Sequence, residues 1–300
     1  METTKYIWMD GKFVAWDDAK VHILTHTLHY GMGVFEGIRF YETAKGPAIF
    51  RLTDHVNRLF DGAGKTFMKV PFKKADFSNA IVETVRKNSI HSGYIRPILY
   101  YGYGKMGLDP TGAPVNASIA VWPWGSYLGA EAVSVMTSSF IRLHPKSTDA
   151  GSKICGHYVN SIFASCEAKA NGFQEALLLD YNGMCAEGPG ENIFFVKNEV
   201  LYTPKLGNIL SGITRDSVMR IAAKEGIKTI EKDISPKELK QSDEAFFTGT
   251  AAEITAIKKI DSTVIGNGSI GKITKKIRVI FLDSVSGKNK EYESWLTYVR

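Results

Sequence analysis

A chain of 300 residues, 44% hydrophobic and 23% charged, has the composition of a soluble globular protein of about two domains. No apolar run approaches the ~20 residues of a membrane helix, and the opening METTKYIWMDGKFV lacks the order of a secretory signal. The net charge of +6 sits in dispersed pairs such as Lys73–Lys74, Lys258–Lys259 and Lys275–Lys276 without interleaved aromatics, which argues against a nucleic-acid surface.

Three cysteines, Cys155, Cys166 and Cys185, cannot all pair, and that favours a reducing, cytoplasmic setting. From the N-terminus, YIWMDGKFVAW reads as a hairpin around Asp10-Gly11. GVFEGIRFYETAKGPAIFRL reads as a second, turning at Ala44-Lys45-Gly46. Thr53 is placed to cap a helix with Val56, Leu59 and Phe60 at helical spacing. A further helix, KADFSNAIVETVRKNS, sets Phe77, Ile81, Val82 and Val85 on one face. YIRPILYYG and NASIAVWPWG read as buried strands.

The small-residue stretch 125–133, after Trp122-Pro123-Trp124, reads as a crossing between a smaller N-terminal domain (1–124) and a larger C-terminal one (134–300). The second half opens with the strand VSVMTSSF and continues with the helix NSIFASCEAKANG, ended by Gly172. EALLLDYNGMCAEG turns at Asn182-Gly183, and NIFFVKNEVLYTP is a hairpin around 197–199. SGITRDSVMRIAAKEG is a helix closed by Gly226. Ser235 with Glu238 forms a capping box, with Pro236 at the first helical position. KITKKIRVIFLDSVSG buries Ile273, Ile277, Ile280 and Phe281 opposite its lysines. Mixed strands and helices in both halves predict two α/β or α+β domains.

The chemistry centres first on GSKICGHY, 151–158. Cys155 and His157 offer two metal ligands where a closed zinc site needs four, so no metal is expected. A nucleophilic Cys155 would need a positioned base and a lowered pKa, and a small residue packed under a loop is the more frequent reading of such a cysteine. Lys153 suits Schiff-base chemistry between glycines that admit a flat ligand, with Tyr158 able to donate to a phenolate oxygen. Taken alone, the stretch is better read as carrying a plain surface lysine, since most lysines are surface lysines. In AEGPGENIF, Glu187 and Glu191 stand on a tight turn after a leucine strand, either as solvated acids or with one facing a cationic ring nitrogen. Gly212, Ile213 and Thr214 open a helix where an anion is favoured. The Gly249-Thr250-Ala251-Ala252 turn can aim N–H groups and a hydroxyl, and Arg58 can add a fixed positive charge. Amine, carboxylate, phenol and phosphate cradle together match pyridoxal 5′-phosphate.

Over roughly residues 5–285 the chain resembles the branched-chain amino-acid aminotransferases of the class IV (fold-type IV) pyridoxal-phosphate family. The motifs that carry the resemblance are HYGMGVFEGIRFY, HVNRLFDGA, YIRPILYYG, GLDP, WPWGSYLG, GHYVNSIFASCEA, EGPGENIFFV, LSGITRDSV and FFTGTAAEITAI, in that order. It implies a fold-type IV architecture whose larger domain contains a pseudo-barrel sheet. It implies that Lys153 carries the cofactor and shuttles the proton at the substrate Cα, that Glu187 pairs with the ring nitrogen, and that Tyr158 bonds the ring oxygen. Arg58, Ile213, Thr214 and Thr250 would bind the phosphate. Tyr94 and the Ala251-Ala252 turn would take the substrate carboxylate, and Arg96 the distal carboxylate of glutamate. Tyr30, Phe35, Trp124 and Tyr127 would wall an aliphatic pocket. Leu108 would reach a neighbouring subunit's site, implying a homodimer or larger homo-oligomer. The implied reaction moves the amino group of L-leucine, L-isoleucine or L-valine to 2-oxoglutarate. D-amino-acid transaminase and aminodeoxychorismate lyase are the alternatives within the family, and YIRP at 94–97 resembles the branched-chain type.

Overall fold

The computed structural model describes residues 2–125 and 131–299, so Tyr127 and most of the 125–133 crossing lie outside the described residues. Two compact units divide the chain: Met1–Gly125 with Ser152–Gly156 and Asp283–Arg300, and Ser126–Gly151 with His157–Leu282.

The first unit begins with β1 (Tyr6–Met9) and β2 (Lys12–Ala15). Their turn sets Asp10 and Gly11 at φ 47° and 91°, the left-handed pair a tight hairpin demands. Then come α1 (His26–Tyr30), β3 (Gly33–Phe35), β4 (Ile38–Tyr41) and β5 (Ala48–Phe50). They are followed by α2 (Leu52–Lys65), α3 (Lys74–Asn88), β6 (Gly93–Tyr101) and β7 (Val115–Trp122). The stretch read as one strand over GVFEGIRFY is therefore two, broken at Glu36-Gly37.

The cap expected at Thr53 is also displaced. α2 starts at Leu52 behind Arg51, which adopts φ 48° and makes no side-chain cap. Arg51 is held there from a distance, because its N–H donates to the Trp295 carbonyl at 2.7 Å. Leu52, Val56, Leu59 and Ala63 of α2 and Phe77, Ile81 and Val85 of α3 share one core with the sheet residues Ile38, Phe40, Ile49, Ile95, Leu99 and Ile119. That shared burial is what selects helices at these spacings.

The second unit holds β8 (Ala132–Ile141), α4 (Tyr158–Ala170), β9 (Glu175–Leu179), β10 (Cys185–Glu187), β11 (Asn192–Lys197) and β12 (Val200–Pro204). It continues through α5 (Ile213–Lys224), β13 (Thr229–Lys232), α6 (Pro236–Lys240), β14 (Glu244–Gly249), β15 (Glu253–Ile260) and β16 (Thr263–Val264) to α7 (Lys272–Val285). The Ser235 hydroxyl caps α6 by accepting from Glu238 N–H at 3.2 Å, as the capping box predicts. Strands run β10-β9-β8-β15-β14-β11, and β10 also pairs with β11, so these six close on themselves. The pseudo-barrel expected of the larger domain is present. In α7, Ile277 and Phe281 are buried, whereas Ile273 and Ile280 are only half-buried.

The chain ends in the first unit with β17 (Leu296–Tyr298), antiparallel to β5. This strand went unread in the sequence, although Leu296 and Tyr298 alternate with Thr297. Among the described residues no helix is long and apolar enough to cross a membrane.

Candidate active site

In the first unit, a short segment around Lys153 is pinned along β3. Lys153 O accepts from Phe35 N–H at 3.1 Å, Val34 bridges Ile154, and Gly156 N–H donates to Gly31 O at 3.0 Å. Gly31 has φ 70°, and a Cβ there would stand 3.0 Å from the Gly156 Cα, so this approach is available only to glycine. The backbone that carries the lysine is thus set by tertiary contact rather than by its own short loop.

Lys153 Nζ lies 5.0 Å from the Phe35 ring centre, and the Arg96 guanidinium lies 4.7 Å from the same ring. Arg96 also sits over Tyr94 at 5.3 Å and donates to its hydroxyl at 3.4 Å. Tyr94 packs on Trp124 at 4.4 Å and Trp122 at 5.3 Å. Its hydroxyl occupies the space a Cβ on Gly37 would need. Five of the residues singled out from the sequence, Phe35, Tyr94, Arg96, Trp124 and Lys153, thereby converge. Arg96 Nε is buried and meets no hydrogen-bond partner among the described residues. Tyr30 ends α1 with its ring tilted against His26, centroids 4.6 Å apart, while Leu108 projects from its loop 88% exposed.

Arg58 lies on α2 against a residue that sequence reasoning passed over. Glu36, fully buried at the β3–β4 break, receives Arg58 Nε at 2.5 Å and Nη2 at 2.9 Å, and meets His55 Nδ1 at 2.7 Å. Burial alone would raise the Glu36 carboxyl, but Arg58 and His55 outweigh it and hold the group well below the usual carboxylate range.

In the second unit, Glu187 ends β10 after a bulge that shifts its register against β9. It accepts from Arg142 Nε at 2.7 Å, Asn192 Nδ2 at 3.1 Å, and Leu210 N–H at 3.2 and 3.3 Å to its two oxygens. Glu187, Asn192 and Thr248 are paired in register across β10, β11 and β14, so they share one face. Asn192 also ties this carboxylate to the start of α5, since its Nδ2 donates to Leu210 O at 2.9 Å. Its Oδ1 leaves no room for a Cβ on Gly212, the N-cap residue of α5. α5 accordingly opens at Ile213 and Thr214 with no side-chain cap from Gly212. Across the barrel rim, Gly249 lies so close to Gly190 O that an added Cβ would be 3.2 Å from it, which sets the Thr250-Ala251-Ala252 turn beside the acidic turn. Tyr158 is the half-buried first residue of α4.

Arg142 and Asn192 are the principal residues that sequence reasoning missed here. The one local signal was the polar Asn192 directly before the apolar run Ile193–Val196. Burial pushes the Cys155 thiol up to about 11, the opposite of what a nucleophile needs. His157 Nε2 is engaged by the Thr148 hydroxyl at 2.5 Å.

The family model for class IV amino-transferases matches residues 33–260. The chain belongs to the class IV aminotransferases. A branched-chain-amino-acid aminotransferase of Pseudomonas aeruginosa is 47% identical over 298 residues, covering 98% of this chain and 97% of its own. That of Escherichia coli K12 is 41% identical over 306 residues, covering 99% of each. The solved T.th. branched-chain amino acid aminotransferase, complexed with N-(5′-phosphopyridoxyl)-L-glutamate, superposes with a TM-score of 0.97 at 44% identity over the whole of both chains. The fold-type IV architecture of this class IV aminotransferase is therefore the one its sequence resemblance implied.

Proposed function

We propose that this protein is a branched-chain amino-acid aminotransferase using pyridoxal 5′-phosphate. It moves the amino group of L-leucine, L-isoleucine or L-valine to 2-oxoglutarate, reversibly and by a ping-pong scheme. The observation that carries the reading is the slot of Phe35, Tyr94 and Trp124 with one arginine, Arg96, and one amine, Lys153, against the same ring. Aromatic walls suit an aliphatic side chain, and a single cation suits the distal carboxylate of glutamate in the alternate half-reaction. The buried, unsatisfied Arg96 Nε supports that second use.

The donor set fits the cofactor. An amine on a pinned segment, a carboxylate with an arginine counterion, and a helix start without a side-chain cap are what an aldehyde, a ring nitrogen and a phosphate require. Pyridoxal 5′-phosphate supplies an electron sink for the pair released when the substrate Cα–H bond breaks. Lys153 takes that proton and returns it. Glu187 keeps a proton on the ring nitrogen, its own charge steadied by Arg142. Tyr158 donates its phenol to the ring oxygen. Arg58, the N–H groups of Ile213 and Thr214, and the Thr250 hydroxyl bind the phosphate. Tyr94 and the Ala251-Ala252 turn would orient the substrate carboxylate, and Tyr30 would add to the apolar wall, to which the resemblance also assigns Tyr127.

A second copy of the chain is proposed to cover the exposed apolar residues Val21, Ile23, Leu24, Leu28, Tyr103 and Leu108, giving a homodimer or larger homo-oligomer. Leu108 would then serve the neighbouring site.

Incubation of the purified protein with L-leucine and 2-oxoglutarate is expected to yield L-glutamate, with D-alanine and aminodeoxychorismate inert. No glutamate from any of the three branched-chain amino acids would sink the assignment. Arg96→Gln is expected to raise KM for 2-oxoglutarate by about 10–100-fold, the loss of one charged hydrogen-bonding partner, while KM for L-leucine moves less than threefold. Initial rates against each substrate check this.

A further inference from the structure

The Glu36 cluster asks for a purpose. A carboxylate with no solvent exposure is costly, and exchanging such an ion pair for apolar residues is often neutral or stabilising. Its donors nevertheless saturate it. Arg58 takes both oxygens through Nε and Nη2, while His55 Nδ1 and Gly37 N–H, at 2.7 and 3.2 Å, share Oε2. His55 and Arg58 stand three residues apart on α2, one turn of the same face. Burial pushes the His55 imidazole down in spite of the carboxylate beside it, with Arg58 and Lys153 adding to the effect. His55 Nδ1 meets Glu36 Oε2 at 2.7 Å with both side chains buried, bracing the carboxylate against α2. The Arg58 side chain, only 13% exposed, is clamped by its Nε–Nη2 edge. A guanidinium that is otherwise free to rotate has been fixed in one plane before any ligand arrives.

We propose that Glu36, braced by His55, is a positioning residue that presets Arg58 for the phosphate of the cofactor. The inference rests on the reading of Arg58 as a phosphate ligand. It also has a definite sign. If charge alone mattered, Glu36 would weaken phosphate binding by neutralising Arg58, and removing its charge would tighten the complex. If orientation matters more, removing it loosens the complex.

The test uses the full chain stripped of cofactor and titrated with pyridoxal 5′-phosphate and, separately, with pyridoxal, which lacks the phosphate. Tryptophan fluorescence reports each Kd. Glu36→Gln is expected to weaken pyridoxal 5′-phosphate about tenfold, the scale of one side chain left to be immobilised on binding, with pyridoxal unchanged. Arg58→Gln should erase most of the preference for the phosphorylated form, and adding Glu36→Gln to it should do nothing more. General loosening of the fold would move both ligands together, so the ratio of the two Kd values isolates positioning. Tighter binding by Glu36→Gln, or equal losses for both ligands, overturns the proposal. If Arg58→Gln leaves the ratio unchanged, it is the phosphate assignment that fails instead. Should Glu36→Gln not fold, His55→Ala carries the same comparison. A loss of about threefold for pyridoxal 5′-phosphate alone is expected from it, and no selective loss overturns the proposal.

Discussion

Lys153→Ala is expected to lower amino transfer from L-leucine by about 10⁴-fold or more, the upper range for removing a positioned proton-transfer group, with the loss of covalent attachment added. The fold should survive. What holds this segment is backbone: Phe35 N–H on Lys153 O, the Val34–Ile154 bridge, and Gly156 on Gly31. The side chain contributes its contact with the Phe35 ring, 5.0 Å from Nζ. Borohydride reduction of the wild-type holoenzyme should fix the cofactor to the chain, and peptide mass mapping should place it on Lys153. In the alanine variant the label should vanish. A label on a different lysine, or activity within tenfold of wild type, would defeat the assignment.

Glu187→Gln comes next in size, with kcat expected to fall by about 10²–10³, the usual loss when one preorganised electrostatic group is removed. It carries a structural cost as well. Arg142, with 8% of its side chain exposed, keeps its charge but loses the opposing one, and an uncompensated buried charge costs about 3–5 kcal/mol. The double variant Glu187→Gln/Arg142→Met removes both charges. It should recover most of the stability lost in urea denaturation while kcat stays low. That divergence separates the carboxylate's role toward the ring nitrogen from its role in the fold. Recovery of kcat alongside stability would show that no charge is needed at position 187.

Local structure was legible where its cause is local. The Asp10-Gly11 hairpin follows from two residues tolerant of positive φ, the helix at 74–88 from apolar spacing, and the helix at 213–224 from its glycine-led opening and the closing Gly226. α2 shows the limit. Thr53 has the right chemistry for a cap, yet the helix begins one residue before it because the Trp295 carbonyl, near the far end of the chain, holds Arg51. The Glu36 break failed in the same way. Glu36 and Gly37 look like two more strand residues until the buried carboxylate draws Arg58 and His55 to it and the Tyr94 hydroxyl fills the space beside Gly37.

By itself the sequence offered this class IV aminotransferase a short set of candidate groups: an amine between glycines, an acid on a tight turn and a glycine-led helix start. Residue type and near-neighbour spacing suffice for that, because reactivity class and turn chemistry are properties of a few adjacent residues. Only the tertiary structure decided what holds those groups in place. Arg142 meets Glu187 across 45 positions, and Glu36 meets His55 and Arg58 across 19 and 22. Ion pairs of that kind leave no periodic trace in the sequence. They form because a buried charge must find its counterion, and which counterion is within reach is settled when the sheets and helices pack.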